Sequence, residues 1–364
     1  MKSKEILKQM KPYKPGKQIE EVKREYGLDK IVKLASNENP FGFSPQVKQQ
    51  LPDLLAQLEK YPDGYAATLR EKVASFLNVE EEQLIFGNGS DEVVQIICRT
   101  FLEPGVNTIM ATPTFPQYRH NALIEGAEVR EVPVIEGHHN LEEMLQQVDE
   151  YTRVIWLCTP NNPTGVHITK SALNHFMEKC PSHVLVVIDE AYYEYVETED
   201  VFDSIHGLQK HENLMVLRTF SKAYGLAGLR VGYGVANRTV IHSLEPAREP
   251  FNTSTIAQAA AIIALDDQSF IDETTGENRS NKQDLFAFLN ENKLDYYESE
   301  ANFVLIHLPI SGDDMFEHLL SKGFIVRSGE ALGIPNSIRL TIGKKEDMAL
   351  LQQEMKQKLE GHLK

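Results

Sequence analysis

The sequence predicts an α/β protein: a mostly parallel sheet covered by helices on both faces, followed by a smaller α+β unit. Three observations lead there. Apolar runs recur at QLIFG, NTIMA, RVIWLC, VLVVID, LMVLRTF and LRVGYGVA. Strands that are apolar along their whole length belong to a sheet buried on both sides. Helical patterns such as ATLREKVASFLNV, SDEVVQIICRTFL and KSALNHFMEKC lie between some of them, and such alternation suits parallel strands joined by crossover helices. Near residue 270 the texture turns polar and helical with TTGENRSNKQDLFAFLNENK, followed by NFVLIHL, DMFEHLLSKG, FIVRSG, SIRLTIG and a charged last helix.

In chain order, residues 1–35 form an arm rich in Pro and Lys, with a short helix over IEEVKREYG ending at Gly27. KLASNENPFG is loop chemistry, because Asn, Pro and Gly punctuate it. Residues 36–270 are expected to form the large domain. Residues 271–364, with part of the arm, should form the small one. Ser90 is the expected N-cap of the helix that follows QLIFG.

Composition narrows the function. The chain has 53 acids against 37 bases, a net charge of −16, which disfavours nucleic acid or an anionic membrane as partner. No 18-residue apolar run is present, and the first residues lack the apolar core of a secretion signal. Cys98, Cys158 and Cys180 follow no metal-ligand spacing, so buried free thiols and no metal site are expected. The cytoplasm follows by elimination.

Four motifs each follow an apolar run, and so belong at the carboxyl edge of the sheet, where open α/β sheets bind ligands. GNGSDE (87–92) opens a helix whose free N–H groups attract phosphate. The dinucleotide fingerprint G-x-G-x-x-G would need glycine where Glu92 stands, and no Walker A pattern exists. Taken alone, GNGSDE is equally a Gly-rich turn. CTPNNPTG (158–165) is a rigid loop carrying amide donors, or only a turn. VVIDEAYYEY (186–195) places Asp189 at the end of a buried strand. There it needs a cationic partner, or it serves as a helix cap. TFSKAYGLAGLRVGYG (219–234) shelters Lys222 among small and apolar groups. Such a lysine has a depressed pKa and suits Schiff-base chemistry, although many lysines merely snorkel to the surface.

In this order the motifs resemble those of the fold-type I pyridoxal-phosphate aminotransferases. LASNENPFG, YPDG and the late IRLTIG resemble the histidinol-phosphate branch of that family. The resemblance spans nearly the whole chain. It implies a large cofactor-binding domain with a seven-stranded, mostly parallel sheet and a smaller α+β domain. Lys222 is then the Schiff-base lysine and proton shuttle. Asp189 pairs with the pyridinium nitrogen, Asn162 and Tyr192 bond the phenolic oxygen, and Phe115 in TPTFPQY stacks on the ring. Ser90, Asp91 (through its backbone N–H), Ser221 and Arg230 surround the phosphate. Family members are homodimers with shared sites, which makes Tyr61 in KYPDG a reach-over contact to the neighbouring subunit's cofactor phosphate. Arg339 would receive the substrate's carboxylate or phosphate, and Arg327 a substrate phosphate.

The implied reaction converts L-histidinol phosphate and 2-oxoglutarate to imidazole-acetol phosphate and L-glutamate, in histidine biosynthesis. An aromatic aminotransferase, an enzyme of both specificities, and an L-threonine-phosphate decarboxylase share most of these motifs. A cofactor-binding transcriptional regulator fits poorly. About 35 residues precede LASNENPFG, too few for a DNA-binding module.

Overall fold

The computed structural model describes residues 2–10, 12, 16–55 and 58–362. The remainder of the Pro- and Lys-rich stretch expected in the arm, at 11 and 13–15, lies outside them. The strands are β1 (Val32–Lys33), β2 (Leu84–Gly87), β3 (Asn107–Thr112), β4 (Glu128–Pro133), β5 (Thr152–Cys158) and β6 (Leu185–Asp189). They continue with β7 (Leu214–Thr219), β8 (Gly232–Ala236), β9 (Phe303–His307), β10 (Phe324–Ile325), β11 (Arg327–Ser328) and β12 (Ser337–Thr341).

Seven of them make the central sheet, in the order β2-β8-β7-β6-β5-β3-β4. Only β8 runs antiparallel to its neighbours. Side chains alternate between the two faces, so each apolar run feeds two cores. Ile155 and Leu157 of β5 join Val186 and Ile188 of β6 on one side. Val154 and Trp156 join Val187 and Leu217 on the other. Sequence texture marks six of these strands. The seventh, β4, reads EVREVP and buries only Val132. As an edge strand it needs no apolar face, so it carries no apolar signal.

Helix Gly89–Phe101 departs from expectation at its start. It opens one residue before Ser90, with Asn88 in the cap position. The Asn88 N–H is taken by the Glu92 carboxylate at 2.6 Å. Ser90 therefore sits inside the first turn, where its side chain lines the cleft described below.

A third core gathers Leu285, Leu289, Val304, Ile306, Leu319, Ile338, Leu340 and Met355 around the antiparallel sheet β11-β12-β9. The early segment joins this unit: β1 pairs in parallel with β10, and Val22 and Ala35 pack on Leu320 and Ile325. Helix Ile19–Tyr26 ends at Gly27 in the left-handed region, as IEEVKREYG suggests. Helix Gln268–Glu291 runs straight through residue 270, where the texture changes.

Candidate active site

The carboxyl ends of β2, β3, β5, β6 and β7, and the start of β8, converge on a cleft of about 570 Å³. It is lined by Lys222, Asp189, Tyr192, Asn162, Phe115, Ser90, Asp91, Ser221, Arg230, Arg327 and Arg339, all singled out from sequence. Tyr61 does not line it. That ring is 83% exposed and stacks on Phe251 with centroids 4.9 Å apart.

Lys222 lies three residues beyond β7, and its Nζ donates to the Ser36 carbonyl at 3.1 Å. The loop that covers it is pressed close. Gly225 has φ +71, and a Cβ there would stand 1.8 Å from the Gly42 carbonyl oxygen, so no side chain fits. Burial, with the nearby Arg339 charge adding to it, lowers the Lys222 pKa to about 8.

Asp189 is only 3% exposed. Among the described residues no ion pair neutralises it. It accepts from the Tyr118 hydroxyl at 2.6 Å and from the Ala191 N–H at 3.1 Å. Those two bonds hold it in place, yet burial pushes its carboxyl up to about 6. Tyr118 is itself fixed by stacking on Trp156, centroids 4.8 Å apart. It stands three residues after Phe115 in TPTFPQY, a segment with no local sign of its bond to Asp189.

At the opposite end, Arg230 reaches Ser221 Oγ at 3.3 Å and the Asp91 carboxylate at 3.2 Å. Gly89 makes the approach possible, since a Cβ there would stand 2.7 Å from the Arg230 Nη2. Two hydroxyls, a guanidinium and the start of a 13-residue helix together offer the donors that suit an anion.

The small unit supplies the remaining wall. The register of β11 on β12 sets Arg327 directly opposite Arg339, so both guanidinium groups leave the same face. Arg339 donates to the Asn162 side-chain oxygen and, at 2.6 Å, to the Ala35 carbonyl. Tyr192 accepts from the Asn37 side chain at 3.0 Å. Asn37 belongs to KLASNENPFG, the stretch whose composition predicts only a loop.

These groups are chemically suited to pyridoxal phosphate. A buried carboxylate without a cation matches a protonated ring nitrogen, a sheltered amine matches an aldehyde, and the Arg230 end matches a phosphate. The family model for aminotransferase class I and II matches residues 29–353. This chain belongs to that family.

Among other class I and II aminotransferases, the chain is 59% identical over 346 residues to histidinol-phosphate aminotransferase of Anoxybacillus flavithermus, covering 95% of this chain and 93% of that one. It is 58% identical over 347 residues to the Bacillus subtilis (strain 168) protein of the same name, covering 95% and 96%. A solved histidinol-phosphate aminotransferase from Sinorhizobium meliloti, in complex with pyridoxal-5'-phosphate, superposes with a TM-score of 0.89. It is 25% identical, covering 98% of this chain and 97% of that one. The seven-stranded sheet is thus the sheet of fold-type I aminotransferases. Among the described residues no helix is long and apolar enough to cross a membrane.

Proposed function

We propose that this aminotransferase moves the amino group of L-histidinol phosphate to 2-oxoglutarate, giving imidazole-acetol phosphate and L-glutamate in histidine biosynthesis. The observation that carries the reading is the pair of opposed arginines, Arg327 and Arg339, facing into the cleft that holds Lys222. Like charges directly opposite one another destabilise a sheet. They are tolerable where an anion sits between them, and a guanidinium fork suits phosphate and carboxylate alike.

Pyridoxal phosphate, when bound, supplies an electron-accepting ring on which the amino group is exchanged. Ser90, the Asp91 N–H, Ser221 and Arg230 would hold its phosphate, with Phe115 against its ring. Asp189 would keep the proton on the ring nitrogen, and Asn162 and Tyr192 would bond its phenolic oxygen. Lys222, with a pKa near 8, is partly neutral at physiological pH. It can therefore act as a nucleophile and then move the proton at the substrate carbon that bears nitrogen. Arg339 orients the acid group of each substrate, and Arg327 the phosphate of one of them.

The enzyme works as a homodimer in which Tyr61 of one copy completes the phosphate site of the other; its exposed stack on Phe251 supports such a shared face. Three free buried thiols support a reducing, cytoplasmic setting. The large unit takes residues 36–270, and the small one takes 271–364 with part of the arm. Competition among histidinol phosphate, phenylalanine and threonine phosphate in one coupled assay tests the substrate. Preference for phenylalanine would make this an aromatic aminotransferase. Borohydride reduction of the loaded enzyme should label Lys222, and a label on another lysine would refute the site.

A further inference from the structure

Asn37 is 1% exposed, and its backbone is left-handed at φ 56, a conformation that asparagine tolerates better than most residues. Each of its four polar groups is bonded. Its N–H donates to Thr341 Oγ1 at 3.0 Å, and its carbonyl accepts from Asn302 Nδ2 at 3.1 Å. Its Oδ1 accepts from Thr341 Oγ1 at 3.1 Å, and its Nδ2 donates to Tyr192 Oη at 3.0 Å.

The hydrogen-bond count fixes which way the amide points. Thr341 Oγ1 already accepts the Asn37 N–H, and at 2% exposure its own proton has to find an acceptor. Asn37 Oδ1 is that acceptor among the described residues, so the NH₂ group must face Tyr192. A phenol has one proton and a limited set of lone pairs. Having accepted from Asn37, Tyr192 keeps its own proton to donate elsewhere, and Tyr192 lines the cleft.

We infer that Asn37 is a positioning residue, whose side-chain amide aims the Tyr192 phenolic proton into the cleft and is itself oriented by Thr341 on β12. This rests on the proposal that Tyr192 bonds the phenolic oxygen of the cofactor. A donor aimed at that oxygen stabilises its anion and lowers its affinity for a proton. Loss of the aim raises that affinity.

The test follows the visible absorbance of the pyridoxal phosphate-loaded enzyme across pH. Tyr192→Phe should raise the midpoint by about one pH unit, a tenfold change in proton affinity. Asn37→Asp should raise it as well, because a carboxylate cannot donate and instead captures the tyrosine proton. Thr341→Val, which keeps the shape and charge and frees the amide to turn, should move it in the same direction by less. Neither substitution should move it further in the Tyr192→Phe background. An equal shift in both backgrounds would mean a through-space charge effect and overturn the inference. So would unmoved midpoints for both variants while Tyr192→Phe shifts. If Asn37→Asp does not fold, Thr341→Val decides alone. A midpoint unmoved by Tyr192→Phe would instead defeat the Tyr192 assignment on which the inference stands.

Discussion

Asp189 is buried where charge is opposed, and in its proposed role activity needs that charge while the stability of the apo-protein does not. Its carboxyl is raised from 3.8 to about 6. Between those values the folded apo-protein binds more protons than the unfolded chain. Its stability therefore falls as pH rises through that window. The stabilising share is present below pH 3.8 and gone above about pH 6. The displacement is worth about 3 kcal/mol at most. Asp189→Asn does not titrate, so the melting temperature of the apo-variant relative to the parent should climb between pH 4 and pH 7. Calorimetry at the two ends checks the sign. The same variant should lose on the order of a hundredfold or more in kcat, the scale of a removed preorganised charge. A near-normal rate would discard the role. The carboxylate and the sheltered lysine were legible in sequence because each ends a run of apolar residues. Tyr118 and Asn37 were not: their partners lie 71 and 155 residues away, and nothing local in TPTFPQY or LASNENPFG reports such a bond.

Among the elements, the carboxyl edge of the sheet could be read ahead of the structure, because strand ends and motif starts coincide. Strand β4 could not, since its single buried Val132 leaves no period to detect. Ser90, the expected cap, lies in the first turn because the helix begins at Gly89, whose φ of +72 glycine adopts without steric cost. The pairing of β11 with β12 was also beyond sequence, for a two-residue strand such as β11 has no pattern of its own. That register yields a selective prediction. Arg327→Ala should weaken the histidinol-phosphate half-reaction far more than that of an amino acid lacking phosphate. The difference should be roughly ten- to a hundredfold, the worth of one charge-assisted contact. Arg339→Ala should damage both. Single-turnover rates for each substrate measure this, and an equal loss for all substrates in the Arg327 variant would defeat the phosphate clamp. The apo Arg327→Ala protein should melt no lower than its parent, because a like-charge neighbour has gone.

At the scale of the whole molecule, a lone chain leaves Tyr61 outside its own cleft. If the residue serves a second copy, mixing inactive Lys222→Ala protein with an inactive Tyr61→Phe variant should restore up to about a quarter of parental sites after subunit exchange. One site in each mixed dimer carries neither defect. Exchange verified by mass spectrometry without recovered turnover would remove Tyr61 from the phosphate site. The pairing of β1 with β10, and of Asn37 with Thr341 across 304 residues, has a consequence for how the molecule comes into being. On a ribosome, the sheet that carries Lys222 and Asp189 is synthesised and can collapse well before β12 emerges. The two arginines and the threonine that orders Asn37 arrive near the end, and a loop of that span closes slowly. On the proposed assignments, the enzyme thus acquires its cofactor-binding edge early and its substrate-selecting wall late. A nascent chain stalled before β12 would expose a reactive amine with nothing yet in place to choose what reaches it.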